Sequence, residues 1–461
     1  MDKPQNRPYS NIARSRSYSR FGPMSPTLKI ILLVGLHVVL ALGMRSFSRL
    51  ATLHALIVFA IGTWKAITSK DIKEVIPVVV YITGAEVLWR MTRAGVFWEF
   101  GKYATIAILV FALLKKRHIK GAGVPILFFV LLAPSILLTV DAFGFSERSQ
   151  ELISFNLSGP LAVSVCLLFF RQFEVKVSEL QDWIWPMVYP ILGVLTLAAY
   201  STLTATKIDF GTESVFVTSG GYGPNQVSAA LGLGALMLVM WAISAERQGG
   251  RSLALLFALA LLTQSFLTFS RGGVYNFIIG ISAAFLHLLG KPNKFIRGVF
   301  VLLIVGIIAG GFILPRLETY TGGALSQRFT DIDLGNRELL ARADLELFFR
   351  YPLLGVGPGM GVYQRQNVLY AAAHTEYTRL LSEHGTGGVL ALMVLAIFLA
   401  SRYFKAPNAL TRAWVVALAA WPLVEMAHAA MRVAGISLLL GMAAVVWQKD
   451  GEEKESLQKF K

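Results

Sequence analysis

Apolar runs of 17 to 22 residues recur along almost the whole chain. Each is long enough to cross roughly 30 Å of hydrocarbon as a helix. They predict spans at about 28–44, 50–68, 73–91, 98–114, 121–140, 153–170, 183–202, 225–244, 252–269, 273–290, 297–314, 386–402, 411–429 and 432–448. A soluble fold does not repeat that pattern so often. The expected fold is all-α, a polytopic transmembrane helix bundle of about 12–14 spans with one helical extracytoplasmic loop. The single cysteine, Cys166, lies in an apolar run, which excludes an internal disulfide, and no Cys/His zinc spacing exists.

Charge sets the expected orientation. Residues 1–27 are polar and basic, with Arg14, Arg16 and Arg20, and read as a cytoplasmic tail ahead of a retained first span. Transmembrane helices follow over 28–314, an extracytoplasmic catalytic loop over 315–385, further spans over 386–448, and a cytoplasmic tail over 449–461. Lys and Arg in short loops support both termini inside, because 27 of the 43 basic residues then fall on the inner side. Anionic inner-leaflet lipid accounts for most of the +16 net charge without nucleic acid.

The outer basic residues are of a different kind. Fourteen of the 16 are Arg, whereas inside Lys leads Arg by 16 to 11. Arg presents a planar fork that grips phosphate in bidentate fashion and tolerates partial desolvation; Lys is a hydrated point charge. The bias points to an outer surface built for phosphate. Headgroup contact and snorkelling are the competing explanation.

The long outer loop predicts a short helix near 336–349 with Asn336 as its cap, a Pro/Gly turn, and a second helix through 372–384. The turn "GVGPGMG" (355–361) lacks the Lys-Ser/Thr and the strand of a nucleotide loop. Its glycines, Gly357 among them, serve backbone freedom or expose amides to a pyrophosphate. "FSRGG" places Arg271 at a span boundary, as a phosphate ligand or a snorkelling side chain, with two glycines that would admit a headgroup. In "AAAHTEYTRLLSEHG" (371–385), helical spacing puts His374 beside Tyr377 and Thr378. Glu376, Arg379 and Glu383 fall on another face as a salt-bridged set. Arg90, Arg93 and Glu99, then Glu425, His428 and Arg432, then Asn225 and Gln226, are expensive residues at membrane depth. They serve function or interhelix hydrogen bonding.

"TFSRGGVYNF", "NRELLARADLELFFRYPLLGVGPGMGVY" and "HTEYTRLLSEHGTGGVLAL" together resemble the successive signatures of the O-antigen ligase and polymerase superfamily, with "GYGPNQ" a looser fourth. The resemblance covers roughly 220–400. It implies a metal-independent, cofactor-free glycosyltransferase of the bacterial cytoplasmic (inner) membrane. Such an enzyme takes a glycan from an undecaprenyl-pyrophosphate carrier at the periplasmic or outer face. The acceptor is another carrier-linked glycan, lipid A-core or a protein. By matching motif, Arg271 and Arg337 correspond to the carrier-pyrophosphate arginines and His374 to the loop histidine. Thr375 stands where the family often has Asn, and fourteen spans exceed the usual dozen. In this reading Arg271 and Arg337 neutralise the leaving pyrophosphate, with Arg90, Arg93 or Arg328 assisting. His374, near its unperturbed pKa, accepts the proton of the attacking sugar hydroxyl, and displacement inverts the anomeric centre. Asn225, Gly357, Glu376, Tyr377 and His428 complete the expected substrate contacts. The competing class is a polysaccharide or lipid-linked sugar transporter (a flippase), which predicts ionisable groups near mid-membrane and interrupted helices in both halves.

Overall fold

A computed structural model describes residues 24–211, 213–245, 249–330, 336–365 and 371–448. The expected tails therefore lie outside the described residues, apart from 24–27. In chain order the helices are α1 (Pro26–Ser46), α2 (Ser48–Thr68), α3 (Ile76–Met91), α4 (Phe100–Leu113), α5 (Gly123–Val130), α6 (Ile136–Phe143) and α7 (Glu147–Phe170). They continue with α8 (Val177–Asp182), α9 (Ile184–Thr204), α10 (Pro224–Ser244), α11 (Arg251–Leu267), α12 (Arg271–His287), α13 (Pro292–Ile308) and α14 (Leu314–Tyr320). The rest are α15 (Ala324–Thr330), α16 (Asn336–Arg350), α17 (Gly361–Gln364), α18 (Glu376–His384), α19 (Thr386–Lys405), α20 (Ala409–His428) and α21 (Ala434–Ala443). The protein is an all-α polytopic bundle. Among the described residues, ten helical segments are long and apolar enough to cross a membrane. Helices α4, α11 and α21 are apolar but shorter.

Local chemistry sets the helix ends. Ser25 caps α1 by accepting from the Leu28 N–H, and Ser146 and Asn408 form capping boxes on α7 and α20. Pro224 opens α10, where its missing N–H costs nothing. The cap expected of the Asn336 side chain lies outside the described residues. Helix α13 does not stop at 314: it passes through a π turn at Ala309–Ile313 and continues as α14 to Tyr320. The long loop therefore begins after residue 320.

Helix α10 is the axis of the bundle and is buried along nearly all its length. It packs against α9, α11 and α12, while α12 packs against α20 and α21 against α7. Lipid tails are as apolar as leucine, so such helices associate through close packing of small residues. A Cβ on Gly232 of α10 would lie 2.1 Å from the Gly273 oxygen, and one on Gly273 of α12 would lie 1.8 Å from the Ser228 oxygen. Only glycine permits that approach.

Helices α10 and α20 define two faces. One gathers the C-terminal ends of α3 and α20, the N-terminal ends of α10 and α12, and the loop helices α16 and α18. The other gathers the opposite ends, with a two-residue parallel pair of β1 (Glu174–Val175) and β2 (Val446–Trp447).

Candidate functional site on the loop-bearing face

The loop helices are locked by buried ion pairs. Arg379 reaches Glu376, and its Nη1 donates to Glu383 at 2.8 Å. All three residues are buried. The salt-bridged set read from spacing is present. Burial works against the Arg379 charge, but the two carboxylates outweigh it and push its pKa upward. A second pair joins Arg365 to Asp344 of α16 at 2.7 Å, and Thr378 donates to the same carboxylate at 3.1 Å. Burial raises the Asp344 pKa and Arg365 opposes the rise. Nothing in the spacing of residues 344 and 365 announced that pair.

The glycine turn is a docking device. Gly355, Gly357 and Gly359 take φ of 70°, 98° and 74°, the left-handed region that side chains avoid. The amides of Val356 and Gly357 donate to Ser382 and Glu383 carbonyls, both at 2.9 Å. They satisfy carbonyls at the C-terminal end of α18 that its own ladder leaves open. Gly357 is buried, its N–H is committed, and a Cβ there would meet Thr139 Oγ1 at 2.6 Å. The reading in which these amides face a pyrophosphate is corrected.

Arginines converge beside this scaffold. Arg271 opens α12 and Arg337 lies on the first turn of α16. Arg328, near the end of α15, donates from Nε to the Phe269 carbonyl at 3.0 Å, next to Arg271. Burial lowers the Arg337 pKa first, then Arg271 and Arg328, against smaller opposing effects of Glu425 and Glu213. Two of these guanidinium groups sit at helix N-termini, where the backbone dipole is itself positive. Phe269 is buried at φ 56°, an uncommon conformation for a bulky residue, and it follows the α11 C-cap Thr268, immediately before Ser270 and Arg271.

His374 borders this cluster but not from a helix. Helix α18 starts at Glu376, with Thr375 as an extended N-cap residue, so His374 lies in the loop. The face shared with Tyr377 and Thr378 is corrected; a Thr before Glu at a helix start was the available signal. Its pKa is not near the unperturbed value. Burial, then Arg337, Arg432 and Arg365, lower it to about 4. The imidazole is neutral at neutral pH.

Several expected substrate contacts are spent on the protein. Glu376 is fully buried; it pairs with Arg379 and accepts from the Met431 N–H at 3.0 Å. Tyr377 donates its hydroxyl to the Leu423 carbonyl at 2.9 Å. Arg90 donates to Gln226 Oε1, Glu86 Oε1, the Trp98 carbonyl and the Arg432 carbonyl, with its guanidinium 4.5 Å from the Trp98 ring centroid. The space beside the glycines after Arg271 is likewise filled. Ser228 packs on Gly273, and a Cβ on Gly272 would meet the His428 ring at 2.4 Å. They serve helix packing, not headgroup access.

These charges hold the break between α20 and α21. Unpaired backbone is costly at membrane depth. Lys102 donates to the Met431 carbonyl at 2.8 Å and Arg90 to the Arg432 carbonyl at 3.1 Å. Glu376 and Glu86 accept from the Met431 and Ala434 amides. Glu99 pairs with Lys102. The clamp aims Arg432, which donates to the Ala373 carbonyl at 2.9 Å, immediately before His374. Glu86 was legible four residues before Arg90, and Lys102 three after Glu99.

The remaining candidates lie on the same face. Asn225 accepts from Ser270 Oγ at 2.8 Å, one residue from Arg271. His428 donates from Nε2 to Asn276 Oδ1 at 3.1 Å, and Asn276 in turn donates to Glu425. Asn276 was missed because its partners are about 150 residues away in sequence. Arg93 is exposed at φ 54° and lines, with Arg90, a cleft of about 900 Å³ between α3, α4 and the 220–222 turn.

A search of curated proteins finds no match to this chain. Residues 253–393, which include Arg271, Arg328, Arg337 and His374, match the family model described as O-antigen ligase. Within this multi-pass helix bundle, the segment that carries the arginine cluster and His374 is thus similar to the O-antigen ligase family.

Proposed function

We propose that the protein transfers a glycan from an undecaprenyl-pyrophosphate carrier to an acceptor hydroxyl during surface-polysaccharide synthesis, on the outer side of the bacterial inner membrane. The crowding of Arg271, Arg328 and Arg337 beside His374 carries this reading. Burial and the neighbouring charges of Arg271 and Arg328 lower the Arg337 pKa; a bound polyanion relieves that, and a pyrophosphate supplies one.

The acceptor hydroxyl attacks the anomeric carbon as the bond from that carbon to the pyrophosphate oxygen breaks. The electron pair leaves with the lipid pyrophosphate, and Arg271 and Arg337 stabilise the charge that builds there. The hydroxyl proton passes to neutral His374, and the anomeric centre inverts. Anion binding also offsets the arginines that depress His374, which makes it a stronger base once the carrier is seated. Arg328 and Arg432 support the cluster, and Asn225 and His428 border it. These steps use no metal and no cofactor.

The test is transfer of labelled glycan by purified protein in lipid, with EDTA in a parallel reaction. Full activity in Arg271→Ala, Arg337→Ala and His374→Ala sinks the mechanism, and chelator-sensitive turnover sinks metal independence. Flux of carrier-linked glycan into liposomes without bond formation assigns a transporter instead. In a deletion strain, loss of chain length alone identifies a polymerase, and loss of attachment with intact polymer a ligase.

A further inference from the structure

The opposite face holds a cavity of about 1060 Å³ that glycan transfer does not use. It opens between the start of α1, the α8–α9 junction, the end of α10, the starts of α13 and α20, and β2. Lys29, Lys176, Lys291 and Lys294 line it, with Asp182 as the lone carboxylate among the described lining residues. Trp185 and Trp447 line it too; they are 8% and 7% exposed, and neither indole N–H has an acceptor among the described residues. Trp414 and Trp421 share that condition, but they do not line this cavity.

An indole nitrogen donates and cannot accept, so a buried one without a partner costs free energy until an acceptor arrives. Donors and lysines around one space select an anion rich in acceptor oxygens. Ile30 and Leu33 of α1 give the cavity an apolar wall, and Leu28, Ile31 and Leu32 are exposed on the other side of the same helix.

We propose that this cavity binds the phosphate headgroup of an anionic membrane lipid, with Trp185 and Trp447 donating to phosphate oxygens and the lysines neutralising its charge. The site is independent of the catalytic reading and lies at the other end of the same two helices, α10 and α20.

The test uses native mass spectrometry of the full chain in detergent, with phosphatidylglycerol or phosphatidylcholine of identical acyl chains. The wild type should retain phosphatidylglycerol preferentially. Trp185→Phe and Trp447→Phe keep the rings and remove the donors; each should weaken retention by about tenfold. Lys291→Gln with Lys294→Gln should lower it without touching the aromatic wall, which covers the case of a tryptophan variant that fails to fold. Equal retention of the two lipids, or unchanged retention in both variant sets, overturns the site. Displacement by inorganic phosphate at equal concentration reassigns it to a soluble anion. Lipid retained only after removal of residues 449–461 makes that segment the occupant and overturns the lipid assignment.

Discussion

Two arginine clusters share the same loop and differ in what surrounds them. Arg379 lies between Glu376 and Glu383, and its positive charge is more than answered. Arg337 lies near Arg271 and Arg328, and its charge is opposed. Burial works against both, yet the pKa of Arg379 is pushed up and that of Arg337 down. The first arrangement is complete without a ligand and builds the scaffold. In the second, burial and like charges oppose the Arg337 charge, a setting that the proposed carrier pyrophosphate would relieve.

The sharpest way to break this contrast is Arg379→Ala. It leaves two buried carboxylates without their partner and should cost about 3–5 kcal/mol of stability, read by thermal melting in detergent. A variant that melts like the wild type would show that the triad is not what locks α18. Arg337→Ala should behave oppositely, losing about 10²–10³-fold in transfer rate with no drop in melting temperature. A fall in melting temperature as large as that of Arg379→Ala would make Arg337 a structural residue as well.

How far the sequence speaks follows the same divide. Apolar runs of 17 to 22 residues mark the spans because hydrocarbon thickness dictates helix length. The Arg bias of one face draws attention to fourteen arginines, and the structure brings Arg271, Arg328 and Arg337 of that set together. What stayed hidden depends on contacts far apart in the chain. Arg90 read as a ligand residue because nothing local reveals that it ends on the Arg432 carbonyl. Asp344 and Asn276 were silent for the same reason. Tyr377 sat at the right spacing, but the start of α18 at Glu376 turns its hydroxyl to Leu423.

Removing His374 probes the border of the cluster. His374→Ala should lower transfer by about a hundredfold, provided that it serves as the base. Its pH dependence has a definite sign. A base with a pKa of about 4 is lost only as pH falls through that value, so the acid limb of kcat/KM should lie near 4, well below the ordinary histidine value. The limb in kcat should move upward, because bound pyrophosphate offsets the neighbouring arginines. The stability linkage runs the same way: the unfolded chain takes up this proton below about 6.5 and the folded chain only near 4. Stability from this group therefore falls as pH drops through that window. An acid limb near 6.5 in kcat/KM contradicts the buried, arginine-flanked setting.

The smallest effect belongs to the hydroxyl of Tyr377. Tyr377→Phe deletes one hydrogen bond to the Leu423 carbonyl and should cost about 0.5–1.5 kcal/mol by melting, with transfer unchanged. A selective loss of activity returns Tyr377 to the substrate contacts.

The most direct test of an anion site is the melting temperature with and without inorganic pyrophosphate at fixed ionic strength. Pyrophosphate should raise it in the wild type and in Arg379→Lys, and the rise should vanish in Arg337→Ala. An equal rise in Arg337→Ala contradicts an anion site at the Arg271, Arg328 and Arg337 cluster.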